Sequence, residues 1–189
     1  MSPSGQGFPT FLENFLRMDR KAFADMESDF SGRFPEYQIH LLKAGGNNEL
    51  SFGAPGSGEL PCESVSDGAL LYLAYLALTH HPSPPRILLV EEPENGVHHG
   101  SLQDIVAALH AVSSKKRVQV MLTTHSPYLL DLVEPEEVRV FAKDGEGAVH
   151  AAKLSDFPDV EDMKKHFMTG EIWTTFDDSE IVAKARGKR

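Results

Sequence analysis

"ILLVEEPENGVHH", residues 87–99, joins an apolar run to two adjacent glutamates, Glu91 and Glu92, and then to Pro-Glu-Asn-Gly and two histidines. An apolar run of this length that ends at turn-forming residues is typical of a buried strand. Two carboxylates side by side raise each other's cost of ionisation. We therefore expect either an ordinary strand end that meets solvent or a site that binds a cation.

The composition is that of a globular protein and restricts its partners. The chain has 189 residues, 41% of them hydrophobic and 24% charged, which suffices for a domain with a real core. A formal net charge of −10 argues against a protein that coats nucleic acid, although a local basic groove is compatible with it. The one cysteine, Cys62, excludes an internal disulfide and a cysteine-based zinc site. No stretch approaches the roughly 20 apolar residues of a membrane span, so we expect a soluble cytoplasmic protein with no membrane partner.

The spacing of apolar residues predicts an α/β chain. Residues 9–34 have the periodicity of one or two helices, and residues 37–42 and 49–52 indicate a hairpin that a glycine-rich loop follows. The predicted order beyond it is a helix capped by Ser66 or Asp67, a strand at 86–90, a helix at 101–112, a strand at 118–123, a short helix from 126 and a strand at 138–141. The first two of these strands are apolar throughout, which favours a mostly parallel sheet that helices cover on both faces. The last segment predicts a helix, an aromatic docking point at Trp173 and a charged tail.

Polar residues follow two successive strands of this predicted sheet. Glu91 and Glu92 end the first strand, and Thr124 and His125 follow the second. Ligands of open parallel sheets bind beyond the carboxyl ends of the strands, so we expect both strand ends to face one site. Magnesium takes oxygen ligands, often one or two carboxylates together with substrate phosphates. Each feature alone is more typical of a solvated loop or a structural histidine, but their co-occurrence favours a site.

Three motifs, in this order along the chain, resemble those of ABC-type ATPases. The similarity is to bacterial ATPases related to chromosome-maintenance and recombination proteins. "SVSDGALLYLAYLAL", residues 64–78, resembles the signature motif and its helix. "ILLVEEPENGVHH" is similar to the Walker B strand, catalytic glutamate and D-loop, and "VMLTTHSPYLLD", residues 120–131, to the switch-histidine segment. With "GEIW" at 170–173, the resemblance covers most of residues 60–176.

The resemblance implies a role for each residue at the strand ends. Glu91 would orient Mg²⁺, often through water, and Glu92 would be the base that polarises the attacking water. His125 would contact the γ-phosphate of ATP. ATP and Mg²⁺ are therefore the cofactors that the resemblance implies.

The signature-like residues would act across a dimer. The resemblance places Ser66, Asp67 and Gly68 at the γ-phosphate of a nucleotide held by a second protomer. The physical chemistry agrees, because a helix N-terminus that begins with Ser and Gly is suited to bind an anion. His98 would lie at the dimer interface or would be an ordinary surface histidine.

The sequence departs from the family at the Walker A loop, whose backbone amides and lysine hold the β- and γ-phosphates. The closest string, "GAPGSGEL" at 53–60, has Glu59 in place of the lysine and Leu60 in place of the Ser or Thr, so we interpret it as a loop. We also find no Q-loop glutamine. The chain is therefore predicted to be a partial P-loop NTPase, the C-terminal half of such an ATPase. Its predicted parts are a helical segment and hairpin at 1–60, an ATPase lobe at 61–155, and a C-terminal helix and tail at 156–189.

Two classes of function fit this pattern. In the first, the chain supplies the signature, Walker B and switch residues to a nucleotide site that a Walker A-containing chain or segment completes, and it is inactive as an ATPase alone. In the second, it is a non-catalytic interaction module or a truncated remnant with the ATPase fold. A nuclease site at Asp177–Glu180 is disfavoured because the segment is too short for a nuclease fold. A zinc site at the histidine pairs 80–81 and 98–99 is disfavoured because adjacent histidines point in different directions.

Overall fold

The chain divides into two units at the junction between Leu122 and Thr123. A computed structural model describes residues 7–54, 56, 58–116 and 118–187. Among these residues, no helix is both long enough and apolar enough to cross a membrane. The sequence-based division at residues 60 and 155 follows the motifs and stays a prediction.

The first unit begins with two helices, α1 (Phe8–Met18) and α2 (Arg20–Arg33), as predicted. Asp19 separates them, because its carboxylate accepts hydrogen bonds from the amides of Lys21 and Ala22, each at 3.0 Å, and so caps α2. Each helix buries one apolar stripe. The buried residues are Phe8, Leu12 and Phe15 of α1 and Phe23, Met26 and Phe30 of α2.

A three-stranded antiparallel sheet follows the two helices. Its strands are β1 (Gln38–Ala44), β2 (Asn47–Ala54) and β3 (Gly58–Pro61), in the order β1-β2-β3. The predicted hairpin is confirmed, since Gly45 and Gly46, both with positive φ, form its turn. The interpretation of residues 53–60 as a loop is wrong. Gly53 and Ala54 end β2, and Gly58, Glu59 and Leu60 lie in β3, which pairs with β2 in antiparallel register. Residues 55 and 57 of this string lie outside the described residues.

The alternating part of the first unit consists of α3 (Asp67–His80), β4 (Ile87–Glu91), α4 (His99–Lys116) and β5 (Gln119–Thr123), the last residue of which lies just past the boundary of the unit. Strands β4 and β5 are hydrogen-bonded neighbours, and a helical crossover such as α4 is the connection that parallel strands require. Leu88 and Val120 face the core of the unit. The expected helix cover on both faces is wrong, because the opposite face of this two-stranded sheet exposes apolar residues. These residues are Ile87, Leu89 and Met121.

Over residues 123–187, the second unit contains a hairpin and four short α-helices. Its elements are α5 (Pro127–Leu130), β6 (Arg139–Lys143), β7 (Val149–Lys153), α6 (Val160–Met163), α7 (Thr169–Thr175) and α8 (Asp178–Gly187). Strand β7, which was not predicted, pairs with β6 in antiparallel register. Trp173 packs against the core of the unit and donates a hydrogen bond from Nε1 to Oδ1 of Asp178 at 2.8 Å, which makes it a docking point. The fold is thus α/β, but the predicted mostly parallel sheet is wrong, since two of the three described sheets are antiparallel.

Candidate functional site

The glutamate pair lies at the end of β4, as predicted. Glu91 is the last residue of the strand and is exposed, whereas Glu92 begins the loop and is half-buried. Glu92 has φ of 41°, a left-handed conformation that costs a residue with a side chain about 1–3 kcal/mol. The turn holds it there, because the amide of Asn95 donates to the Glu92 carbonyl at 2.9 Å and Nδ2 of Asn95 donates to Oε2 of Glu92. Strained backbone of this kind is concentrated at functional positions.

The described residues contain no group of three or more His, Cys, Asp or Glu side chains that could hold a metal ion. Glu91 therefore offers a metal one exposed carboxylate at a strand end. This donor set fits Mg²⁺, which keeps several waters and takes its remaining ligands from substrate phosphates. It does not fit a metal that the protein holds by itself.

Ser66 is the N-cap of α3, and its hydroxyl oxygen accepts a hydrogen bond from the amide of Ala69 at 3.3 Å. A serine hydroxyl has one proton to donate and two lone pairs to accept with. Ser66 can therefore cap the helix and still donate its proton to an anion. Asp67, the first residue of the helix, is exposed, and Gly68 follows it in the first turn.

The start of α3 packs directly on the loop that follows the glutamate pair. A Cβ atom on Gly68 would lie 3.1 Å from the carbonyl oxygen of Gly96, which is closer than ordinary van der Waals contact. Gly96 has φ of 78°, and a Cβ atom there would lie 3.3 Å from Cδ1 of Leu71. Both glycines are needed for this approach. The signature-like and Walker B-like segments are thus in contact within the first unit.

Further along α3, the same loop influences a tyrosine. Burial, and then the nearby charge of Glu94, raise the pKa of the Tyr75 phenol. Since Glu94 lies in the loop and Tyr75 lies two turns of α3 beyond Gly68, the charge of the loop also acts on this part of the helix.

Arg33, at the end of α2, fixes the start of α4, a role that the sequence did not predict. Its Nε and Nη2 atoms donate to Oγ of Ser101 at 3.3 and 3.1 Å, and Nε lies 3.6 Å from Oδ2 of Asp104. Ser101 is buried, so the guanidinium satisfies a hydroxyl inside the unit. Nearby, the amide of Gly100 donates to Nδ1 of the exposed His98 at 3.2 Å, which orients that ring at the start of the helix.

His125 belongs to the second unit. It is exposed and lies between β5 and α5, next to Thr124, whose hydroxyl oxygen accepts a hydrogen bond from the amide of Ser126 at 2.9 Å. Asp131, which follows α5, accepts a hydrogen bond from the amide of Gly170 at 2.8 Å. The switch-like segment is therefore bonded to the "GEIW" segment within the second unit.

Glu59, at the position a Walker A lysine would occupy, is part of the three-stranded sheet. Its Oε1 accepts a hydrogen bond from Oγ of Ser51 at 2.5 Å and lies 3.3 Å from Nδ1 of His40. The hydrogen bond from Ser51, assisted by His40, lowers the pKa of this carboxyl. An ionised carboxylate on an antiparallel strand repels phosphate, so this string has neither the charge nor the strand–loop–helix form of a phosphate-binding loop.

Comparisons with known proteins agree on the type of fold. A family model described as "AAA domain, putative AbiEii toxin, Type IV TA system" matches residues 9–131, more than half of the chain. A solved structure from work on ATP-driven dimerization and DNA-stimulated activation of SMC ATPases is 18% identical, with a TM-score of 0.51, and the match covers 82% of this chain and 93% of that one. A SmcHead bound to the C-winged helix domain of ScpA is also 18% identical, with a TM-score of 0.54. That match covers 79% of this chain and only 46% of the SmcHead chain. No curated protein matches the chain.

Proposed function

The chain belongs to the AAA-domain family that matches it, and on that premise we propose that it is the C-terminal lobe of an ABC-type ATPase. The lobe supplies signature, Walker B and switch-histidine residues to a nucleotide site that a Walker A lobe completes. The observation that carries this proposal is the close approach of Gly68 to Gly96, which joins the start of α3 to the loop that begins at Glu92. Two segments that resemble motifs of one ATPase are thereby held together.

Membership of an ATPase family implies nucleotide binding, typically with Mg²⁺. In the proposed site Glu91 orients the ion, and Glu92 accepts a proton from the water that attacks the γ-phosphate. The turn hydrogen bond from Asn95 supports the second role, because it restricts the carboxylate to one side of the loop. His125 contacts the γ-phosphate from the switch-like segment.

The anion-binding end of α3 serves a nucleotide held by a second protomer. The free amides in the first turn of a helix and its dipole favour negative charge. Ser66 adds a hydroxyl proton, and Asp67 and Gly68 supply the first backbone amides of the helix. A second protomer is therefore a partner in this proposal, and the nucleotide lies between the two.

The Walker A lobe packs on the exposed apolar face of β4 and β5. Leu89 is 71% exposed there, and Ile87 and Met121 are each more than half exposed. Covering the three side chains contributes on the order of 1–2 kcal/mol each. In this proposal the cover comes from a part equivalent to the portion of the SmcHead chain that the match does not include, since the match covers 46% of that chain.

The decisive experiment measures ATP hydrolysis by the 189-residue chain, alone and mixed with a chain that carries Gly-x-x-x-x-Gly-Lys-Ser/Thr. We expect negligible turnover alone and turnover with the second chain. Glu92→Gln should abolish hydrolysis in the mixture and preserve ATP binding, whereas Glu49→Gln, the same change on the exposed surface of β2, should leave both intact. Robust turnover by the chain alone, or turnover that survives Glu92→Gln, would refute the proposal.

The exposed apolar face also favours a second candidate, a non-catalytic module that docks a partner through this face. The two candidates differ in what Leu89→Lys and Glu92→Gln do. A docking module should lose partner binding in Leu89→Lys and keep it in Glu92→Gln. An ATPase lobe loses activity with both. Leu89→Lys should leave the stability of the chain itself within about 0.5 kcal/mol, because the side chain is exposed.

A further inference from the structure

The β6–β7 hairpin carries a basic surface on an acidic protein. Its inner face, with Val140 and Ala152, is buried against the core of the second unit, which includes Ile181 and Val182 of α8. Its outer face is exposed at every position. We call this outer surface the basic face, and it consists of Arg139, Phe141, Lys143, Val149, Ala151 and Lys153.

The register of the hairpin fixes how these side chains are arranged. Arg139 lies opposite Lys153, Phe141 opposite Ala151, and Lys143 opposite Val149. Because residues two apart on a strand are roughly 6.7 Å apart, Arg139 and Lys143 are separated by roughly 13 Å with Phe141 midway. The basic face thus has a cation on both sides of an exposed aromatic ring.

The cations of the basic face are not neutralised by carboxylates. Within the described residues, Lys143 and Lys153 take part in no ion pair. Arg139 donates from Nη1 to the carbonyl oxygens of Glu136 at 2.9 Å and Val138 at 3.1 Å, which orients the guanidinium without cancelling its charge. Like charges directly opposite each other, such as Arg139 and Lys153, destabilise a strand pair. An anion bound between them would relieve this repulsion.

The carboxylate of Asp144, at the end of the hairpin, is engaged by groups of the turn and by His150. Oδ1 of Asp144 accepts hydrogen bonds from the amides of Glu146 and Ala148, each at 2.9 Å, and Oδ2 lies 2.6 Å from Nε2 of His150. His150 pairs with Ala142, so it belongs to the opposite face of the hairpin. The Asp144 carboxylate is therefore held by the turn amides and by His150, on the opposite face of the hairpin from the three cations.

We propose that the basic face binds single-stranded nucleic acid, with a base stacked on Phe141 and the flanking phosphates held by Arg139, Lys143 and Lys153. Phe141 is 63% exposed, and an aromatic ring on a sheet between cations is the arrangement that binds unpaired bases without sequence preference. A nucleobase has a planar face that stacks on the Phe141 ring, whereas the carboxylate side chains of an acidic peptide have no such ring. The formal net charge of −10 makes the rest of the surface on average unfavourable for a polyanion.

The test measures binding of a fluorescent oligo(dT) of about 20 nucleotides to the full chain without ATP, at several salt concentrations. Three phosphate contacts predict a slope of log K against log salt of about −2. Phe141→Ala should weaken binding by about 5- to 100-fold, because one stacked base is lost. Lys143→Glu should weaken it further and flatten the salt dependence.

Matched controls come from the same unit. Phe167→Ala removes another ring that is more than half exposed, and Lys165→Glu reverses a charge that already pairs with Asp162 at 2.6 Å. Both controls should bind as the unchanged chain does, and thermal melting of all four variants verifies that they fold. No binding at low salt, or equal binding by Phe141→Ala and the unchanged chain, would overturn the proposal. So would a preference for polyglutamate or for vesicles with anionic lipid over oligo(dT), which would assign the face to an acidic peptide or a membrane surface.

Discussion

Replacing Ser66 separates the structural role of this side chain from its proposed role at a phosphate. In Ser66→Ala the amide of Ala69 loses its acceptor, a hydrogen bond of 3.3 Å. This length is at the long end of the usual range, so we expect a loss near the low end of measured N-cap effects, about 0.5–1 kcal/mol. For a chain of this size that corresponds to a fall in Tm of about 1–4 °C.

Ser66→Asp should preserve the Tm of the chain but abolish its ATP-dependent dimerisation. Aspartate caps helices as well as serine does, and its charge is favourable at the positive end of α3, so Tm should stay close to that of the unchanged chain. The same carboxylate would repel the γ-phosphate of a nucleotide on a second protomer. ATP-dependent dimerisation of the complemented protein, measured by sedimentation, should therefore be lost. Ser66→Ala should weaken it by about 10- to 100-fold, the effect of one hydrogen bond to a charged group.

The control for charge is Ser28→Asp on the exposed surface of α2, which should alter neither Tm nor dimerisation by much. Normal ATP-dependent dimerisation by Ser66→Asp would refute the phosphate role. A larger loss of Tm in Ser66→Asp than in Ser66→Ala would refute the capping argument, because the carboxylate can accept the Ala69 hydrogen bond and the methyl group cannot.

Three further outcomes test the packing and the electrostatics. Gly170→Ala should destabilise the second unit by about 2 kcal/mol or more, because its Cβ would lie 2.2 Å from the carbonyl oxygen of Pro127, whereas Gly187→Ala has nothing within 4 Å and should cost nothing in urea unfolding. Leu73→Ala should lower the free energy of unfolding by about 2–5 kcal/mol, since this α3 side chain is completely buried. Burial raises the pKa of Glu27, so its ionisation costs stability as pH rises through that pKa. Glu27→Gln should therefore be more stable than the unchanged chain at about pH 7, with the difference vanishing below about pH 4 in thermal melts.

Local signals predicted most of the helices and strands correctly. Helix α3 has a serine cap followed by an uninterrupted apolar segment, and both are properties of neighbouring residues. The same holds for β1 and β2, where two glycines with positive φ mark the turn. These elements follow from interactions within a few residues, which is the range over which a single sequence is informative.

Elements that depend on distant partners were missed or misread. Strand β3 begins in a glycine-rich string and becomes a strand through its pairing with β2, so its composition alone indicated a loop. Strand β7, "VHAAK", has weak alternation and is organised by the Asp144 turn and by α8. The apolar sequences of β4 and β5 predicted that both faces of their sheet are covered. An apolar side chain shows only that its face tends to be buried, and it does not show that the covering residues belong to this chain.

The candidate site divides in the same way. The glutamate pair, the Ser66 cap and the position of His125 after β5 could be read from the sequence because each belongs to one short segment. The left-handed backbone of Glu92 could not, since no glycine marks it. The support that Arg33 gives to Ser101 spans 68 positions and leaves no local pattern. The assignment of these residues to catalysis stays a prediction.

The contact between Gly68 and Gly96 makes the position of the loop after Glu92 depend on the position of the first turn of α3, the two segments to which we assign the proposed function. Neither glycine has a side chain that could deform between the two backbones. A displacement of the loop that begins at Glu92 would therefore shift the first turn of α3. In the proposed dimer, a change near Glu92 of one protomer, such as release of phosphate, would then alter the contact between Ser66 and the nucleotide of the other protomer. The two glycines would thus couple the two nucleotide sites of the proposed dimer, so that a change at one site alters the other.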